Sequence, residues 1–300
     1  MKVLITGAFG MIGRELIKEL ENAGHELRLM DVLRPEDATV FVPGSSERAK
    51  APVQTRWPCV IGSIMDIPAV AKAVEGMDAV VHLAAALTGL PEFGPETMQR
   101  NVVGTYVVLE EARKTTVKRC LCASSINAFG TFDTRLSGKP PLYTRMPLDE
   151  TFHPVPEDSY SLSKYCNELT CAAFARAFGI TTAAFRFAAV WGDEFYRKFR
   201  TSGLKPAGGW SDDLYQWVHV YDIVAGIRKA MECPDLPAHG VYTLSGPDMR
   251  IADLTMEFLW KYRPDLAETV DPPLAGREPL LSIRKARQTF GYPPKYRLMD

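Results

Sequence analysis

The run Thr6-Gly7-Ala8-Phe9-Gly10-Met11-Ile12-Gly13 constrains this chain more than any other segment, because of what stands on either side of it. Before it, Val3-Leu4-Ile5 is a short apolar run of the kind that forms a strand buried on both faces. After it, Ile12, Leu16, Ile17 and Leu20 recur at helical spacing, and Gly24 follows as a stop signal. A strand that turns into a helix through three glycines leaves backbone N–H groups and the positive helix end aimed at one place. Gly7 permits the sharp turn, Gly10 permits an anionic group to approach the backbone, and Gly13 lets the helix lie close to the sheet. This is the arrangement that receives the pyrophosphate of a dinucleotide. Phe9, Met11 and Ile12 share the turn and are expected to contact the cofactor with it.

The same alternation continues. Leu27–Met30, Ala79–Leu83 and Cys120–Ala123 read as further buried strands, with helices around 67–75 and 97–114 between them. Repeated strand–helix–strand units predict an α/β fold: a doubly wound parallel sheet of Rossmann type with helices on both faces. Two stretches break the rhythm. Residues 34–58 carry four prolines and no period, which predicts a long loop, and residues 131–157 are loop-like and lead into a helix bearing Tyr160. From residue 246 onward, short helical pieces between prolines predict a smaller C-terminal substrate lobe. The expected division is 1–185 plus 219–245 for the nucleotide domain, and 186–218 plus 246–300 for the lobe.

Asp31 closes the second strand, 18 residues past Gly13. A carboxylate there accepts hydrogen bonds from ribose hydroxyls and repels a 2′-phosphate, so NAD is favoured over NADP, with Arg34 close enough to soften the preference. A formal net charge of −1 gives no reason to expect a nucleic-acid or membrane partner. None of the six cysteines forms a C-x-x-C pair and no metal pattern is present. Cys120 and Cys122 lie two apart in a strand and should both face packing. Met1 leads directly into the first strand, which argues against a signal peptide, and no apolar run reaches the ~20 residues of a membrane span. The expectation is a cytoplasmic protein with reduced thiols.

Tyr160 and Lys164 are four apart in Tyr-Ser-Leu-Ser-Lys, hence on one helix face. Tyrosine, with an ordinary pKa of about 10, is a poor base near neutrality. A neighbouring ammonium and the positive nicotinamide of a bound cofactor both favour phenolate, which lets the phenol exchange a proton with a substrate hydroxyl.

Together these motifs resemble the extended short-chain dehydrogenase/reductase family, also called the NAD-dependent epimerase/dehydratase family. The resemblance runs through Asp66-Ile67, His82-Leu83-Ala84-Ala85, Asn101 in Asn-Val-Val-Gly-Thr, Ser124-Ser125 and Tyr160-x-x-x-Lys164, and continues through Arg186 to Gly192, Trp217–Val220 with Asp222, and Lys285-Ala286-Arg287. It implies that Asp66 and Ile67 meet the adenine, and that Leu83, Ala84 and Ala85 pass the nicotinamide-side ribose. It also implies cofactor contacts from Asn101 and Ser124, and from Tyr160 and Lys164 beyond their chemistry. Ser125 resembles the serine that steadies charge on the reacting oxygen. Thr88, Ser125, Asn127, Trp191 and Arg277 are the candidate substrate residues, Arg277 resembling a phosphate-binding arginine. A two-fold homodimer on the helices around 97–114 and 159–178 is implied as well; Val107, Val108, Phe174 and Phe178 supply apolar positions there.

Elimination of water needs an acid and a base beside the hydroxyl residue, where this chain has Ile126 and Asn127. A 4,6-dehydratase is disfavoured, as are decarboxylases resembling a pattern with glutamate there. Hydride transfer at a secondary hydroxyl of a sugar, sugar acid or similar small molecule is the expected reaction, as dehydrogenase or epimerase. A nucleotide-sugar 4-epimerase, an enzyme like L-threonine dehydrogenases, and a non-catalytic NAD-sensing regulator are the alternatives.

Overall fold

The computed structural model describes residues 1–41, 47–130, 135–139 and 143–299. The sheet strands are β1 (Lys2–Thr6), β2 (Glu26–Asp31), β5 (Cys59–Ile61), β6 (Ala79–His82), β7 (Arg119–Ser125), β8 (Thr181–Phe187) and β11 (His239–Leu244). They form one parallel sheet in the order β11-β8-β7-β6-β1-β2-β5. The order reverses between β1 and β6, and there the C-terminal strand ends open a crevice. Helices α1 (Met11–Asn22) and α7 (Val220–Glu232) cover one face; α2 (Ile67–Val74), α4 (Gly104–Arg113) and α5 (Ser159–Phe178) cover the other. The apolar runs are buried as read: Val3, Leu4 and Ile5 are fully enclosed, and Cys120 and Cys122 pack together under α5.

Three boundaries differ from those expected. The stretch 97–114 is not one helix. It begins with α3 (Gly94–Met98), passes through a π-helical turn (Gln99–Val103) and continues as α4. Residues 34–58 include a 3₁₀ turn (Pro35–Asp37) and an antiparallel hairpin of β3 (Thr39–Phe41) and β4 (Arg48–Lys50). Strands of three residues between prolines show too little alternation to be seen as a pattern. Residues 42–46 of that stretch, and 131–134 and 140–142 of the second loop, lie outside the described residues.

The expected domain cut at 185/186 falls inside β8, whose Arg186 and Phe187 pair with Thr243 and Leu244 of β11. Arg186 lies within β8 and pairs inside the fold, buried against Glu168. Nor is the C-terminal part separately cored: Phe258, Leu259, Leu266 and Leu280 belong to the same apolar cluster as Val3 and Leu16. That part adds β9 (Val190–Trp191), α6 (Asp193–Ser202), β10 (Val218–His219), α8 (Thr255–Tyr262), α9 (Pro264–Ala267) and α10 (Arg284–Phe290). His219 caps α7, its Nδ1 accepting from the Tyr221 amide at 3.1 Å, so it is a strand-to-helix join.

Candidate active site

A cavity of about 1130 Å³ runs along the crevice. Gly7, Phe9, Gly10, Met11, Ile12 and Gly13 form its floor. The two outer glycines are demanded by the protein itself. Gly7 sits at φ +66°, and a Cβ there would lie 2.7 Å from the Ala84 nitrogen; one on Gly13 would lie 2.5 Å from the Gly7 oxygen. Gly10 is different: its nearest neighbour would be 3.4 Å away, so the protein alone does not require a glycine. Helix α1 starts at Gly10 without a side-chain cap, leaving its first amides directed at the cavity. A bare backbone at the head of a helix fits a pyrophosphate. Asp31 stands at the next wall, its two oxygens held by the Phe9 amide at 3.0 Å and the Leu33 amide at 3.1 Å.

At the other end, Ser124 and Ser125 from the end of β7 face Tyr160 and Lys164 from the first turns of α5. Helix α5 begins on Asp158, whose carboxylate accepts from the Ser161 amide at 2.9 Å. Lys164 is buried and its Nζ donates to the Ala123 carbonyl at 3.0 Å. Burial lowers its pKa to about 8. Loss of water around the Tyr160 hydroxyl pushes its pKa up to about 12, against a hydrogen bond with Ser125 that draws it down. The expectation joined two positive charges, the Lys164 ammonium and the nicotinamide ring, and only the first belongs to the protein. That ammonium sits 5.4 Å from the ring centroid and is committed to a carbonyl.

Behind this wall, buried groups hold the geometry. Ser124 donates to Glu168 at 2.6 Å, and Glu168 pairs in a two-bond fork with Arg186 at 2.8 and 2.7 Å. His82 is fixed between Thr6 at 2.7 Å and Thr105 at 3.0 Å, and burial lowers its pKa to about 3, so it is neutral.

Several expected site residues stand elsewhere. Leu83, Ala84 and Ala85 line the cavity, as do Ser124, Ser125 and Asn127. Asp66 and Ile67 do not; Asp66 caps α2 by accepting from the Ala69 amide at 3.3 Å, and Gly62–Met65 line the wall instead. Asn101 is also off the wall, because the π turn directs it inward. It accepts from the Ala86 amide at 2.8 Å and donates to Ser163 at 2.8 Å, tying the β6 loop to α5. Thr88 accepts from the Leu90 amide within its own turn. Trp191 packs in an aromatic cluster with Trp217, at 5.0 Å between centroids, and Phe195 at 4.8 Å. Arg277 pairs with buried Asp248 at 3.0 Å, and is thus already neutralised away from the cavity. Sequence reasoning missed Thr39, Val40 and Arg48 of the hairpin, Gln99 and Arg100 of the π turn, and Ala188–Val190 and Asp213. Among the described residues no cluster of metal-ligating side chains occurs, and no helix is long and apolar enough to cross a membrane.

A doubly wound sheet, a glycine turn under a helix end and a Ser/Tyr/Lys wall together define a dinucleotide-dependent oxidoreductase. The chain belongs to the NAD dependent epimerase/dehydratase family, whose model matches residues 3–244. It is similar to a uronate dehydrogenase of Pseudomonas syringae pv. tomato, 24% identical over 81% of this chain and 74% of that one. It is also similar to dTDP-glucose 4,6-dehydratase 1 of Escherichia coli, 25% identical over 98% of this chain and 89% of that one. The fold matches a short-chain dehydrogenase/reductase superfamily protein from Agrobacterium tumefaciens with bound NAD, with TM-score 0.70 and 21% identity, covering 99% and 95% of the two chains. NAD is the cofactor, and the residues from Gly7 to Gly13 with Asp31 fit it.

Proposed function

We propose that this enzyme oxidises, or oxidises and re-reduces, a secondary hydroxyl of a free sugar, sugar acid or similarly small hydroxylated molecule. The observation that carries the reading is the convergence of Ser125, Tyr160 and Lys164 on one cavity wall with Asn127 as their polar neighbour. Bound NAD supplies the hydride acceptor and a positive ring. Tyr160 exchanges the hydroxyl proton, Ser125 holds the reacting oxygen, and Lys164 orients the ribose while its charge favours phenolate. Ile126 and Asn127 carry no acid/base pair, which sets this chain apart from an eliminating enzyme despite its likeness to a 4,6-dehydratase. The engagement of Arg277 by Asp248 argues for a substrate without a nucleotide, in keeping with the likeness to a uronate dehydrogenase.

The deciding experiment incubates the protein and NAD with free sugars, sugar acids, nucleotide sugars and L-threonine. Net NADH on a free sugar or sugar acid supports a dehydrogenase. Isomer interconversion without NADH gives the second reading, an epimerase, and turnover only of nucleotide sugars or L-threonine overturns the substrate class.

The proposal includes a homodimer in the cytoplasm. Of the four residues expected at the interface, Val108 and Phe174 are buried within the subunit, whereas Phe178 is exposed together with Val103, Tyr106, Leu162 and Leu169. These lie on or beside the outward side of α4 and α5, an apolar face suited to a two-fold partner. All six cysteines are free thiols, in keeping with a reducing compartment.

A further inference from the structure

Asp222 is a buried acid whose two oxygens serve a distant segment and not its own helix. It stands in the first turn of α7, where a carboxylate commonly caps the helix that carries it. Here His219 is the cap. The Asp222 oxygens accept instead the Lys295 amide at 2.9 Å and the Tyr296 amide at 3.2 Å. Burial raises the Asp222 pKa to about 6, against these two amides and the Lys295 charge, which draw it down. The group is therefore ionised at neutral pH, and both bonds are charge-assisted.

The segment so held runs across β10 and α6. The Tyr296 ring stacks on His219 at 3.9 Å between centroids, and the Tyr196 hydroxyl of α6 donates to the Arg297 carbonyl at 2.8 Å. Farther on, the Leu298 amide donates to Asp248 at 3.1 Å, and the Leu298 side chain packs with Trp191, Tyr196 and Trp217. These contacts back onto the cavity wall. Trp191 and His219 are paired residues of β9 and β10, and the Val218 amide donates to the Ala189 carbonyl at 2.9 Å. Ala188, Ala189 and Val190 line the cavity directly after Phe187, the β8 residue paired with Ser125. Strand register thus places this wall beside Ser125.

We propose that Asp222 is a positioning residue for the cofactor cavity: by clamping segment 295–298 against β10 and α6, it holds the wall of residues 188–190 in place beside Ser125. Asp222 does not itself line the cavity. Its action passes through two packed layers, first the clamped segment and then the β9/β10 pair. Without the clamp, Tyr296 is released from His219 and Leu298 from the aromatic cluster, and the wall loses its backing.

Amide hydrogen exchange and calorimetric titration of NAD into the full chain test this without any substrate, so its failure is distinct from failure of the proposed reaction. Asp222→Ala is expected to speed exchange in β9 and α6 on the order of 10²-fold, the scale of two charge-assisted bonds, while β1 and β7 keep their protection. NAD affinity should fall about 3–30-fold, the range of coupling through a packed network. Asp222→Asn can accept from only one of the two amides and should fall between Asp222→Ala and the unaltered protein. Tyr196→Phe keeps the ring, loses the bond to Arg297 and should give the smallest effect of the three. It and Asp222→Asn carry the test if Asp222→Ala does not fold. Freed amides in 295–298 with β9 and α6 unchanged, an equal loss of protection in β1 and β7, or unaltered NAD affinity would overturn the assignment.

Discussion

At the glycine-turn end of the cavity the backbone shapes the wall; at the end bearing Ser125 and Tyr160 side chains do. Gly7 and Gly13 are irreplaceable because a Cβ would strike main-chain atoms, and Gly10 leaves the head of α1 bare. Around Ser125 and Tyr160, position depends instead on Asn101 bridging Ala86 to Ser163, on Glu168 between Ser124 and Arg186, and on His82 between two threonines. Backbone tools fail in all-or-none fashion, since a clash with main chain has nowhere to relax. Side-chain tools fail by degrees, and each should leave its own trace in binding, turnover or stability.

The largest expected effect separates chemistry from binding. Tyr160→Phe removes one hydroxyl from the reacting end and should cut turnover ~10²–10⁴-fold, as for loss of a general acid/base. NAD affinity, read by calorimetry, should stay within about 2-fold because the phenol contributes little to pyrophosphate binding. Lys164→Ala should damage both and move the rise of activity to higher pH, its charge no longer favouring phenolate. Near-normal turnover in Tyr160→Phe would remove the proton role from this residue.

Next in size is the ion pair that was expected to bind phosphate. Arg277→Met leaves buried Asp248 without its cation and should cost about 3–5 kcal/mol of stability in chemical denaturation. NAD affinity and the KM for a free sugar or sugar acid should be unchanged in the protein that remains folded. Unaltered stability with a raised substrate KM would return Arg277 to the substrate site.

A smaller effect concerns pH. Burial holds His82 at about 3 and His219 at about 4, both below the ordinary 6.5. The unfolded chain takes up these protons first, so the stability from keeping both rings neutral is complete above about pH 6.5 and is lost as pH falls. Each ring should contribute a slope of about 1.4 kcal/mol per pH unit between pH 6.5 and 4. His82→Gln should flatten the curve there; an unchanged slope in urea titrations would mean that His82 is protonated in the fold.

The same contrast explains what could be read in advance. Glycines between a strand and a helix, and a Tyr/Lys pair one turn apart, are local patterns, and both landed on the cavity. Asp66 shows the limit of a local pattern: a carboxylate before a helix reads the same whether it meets adenine or caps the helix, and its Oδ1 caps here. Arg277 and Trp191 depend on partners far away in sequence, Asp248 and Trp217, which no local pattern announces. The hairpin carrying Arg48 was hidden by strands of three residues.

The late arrival of β11 has a consequence for how the chain comes into being. The nucleotide sheet is closed by residues 239–244, which follow every segment from β9 to α7. During synthesis, β8 therefore waits with its Thr182–Phe187 edge unpaired while some fifty further residues are made. That waiting edge includes Ala183, Ala184, Phe185 and Phe187, an apolar strand of the kind that pairs with copies of itself. A product ending near residue 238 would contain the whole glycine turn and the Tyr160/Lys164 pair, and would still present this apolar edge uncovered. The last strand of the sheet to be made is the one that covers that edge.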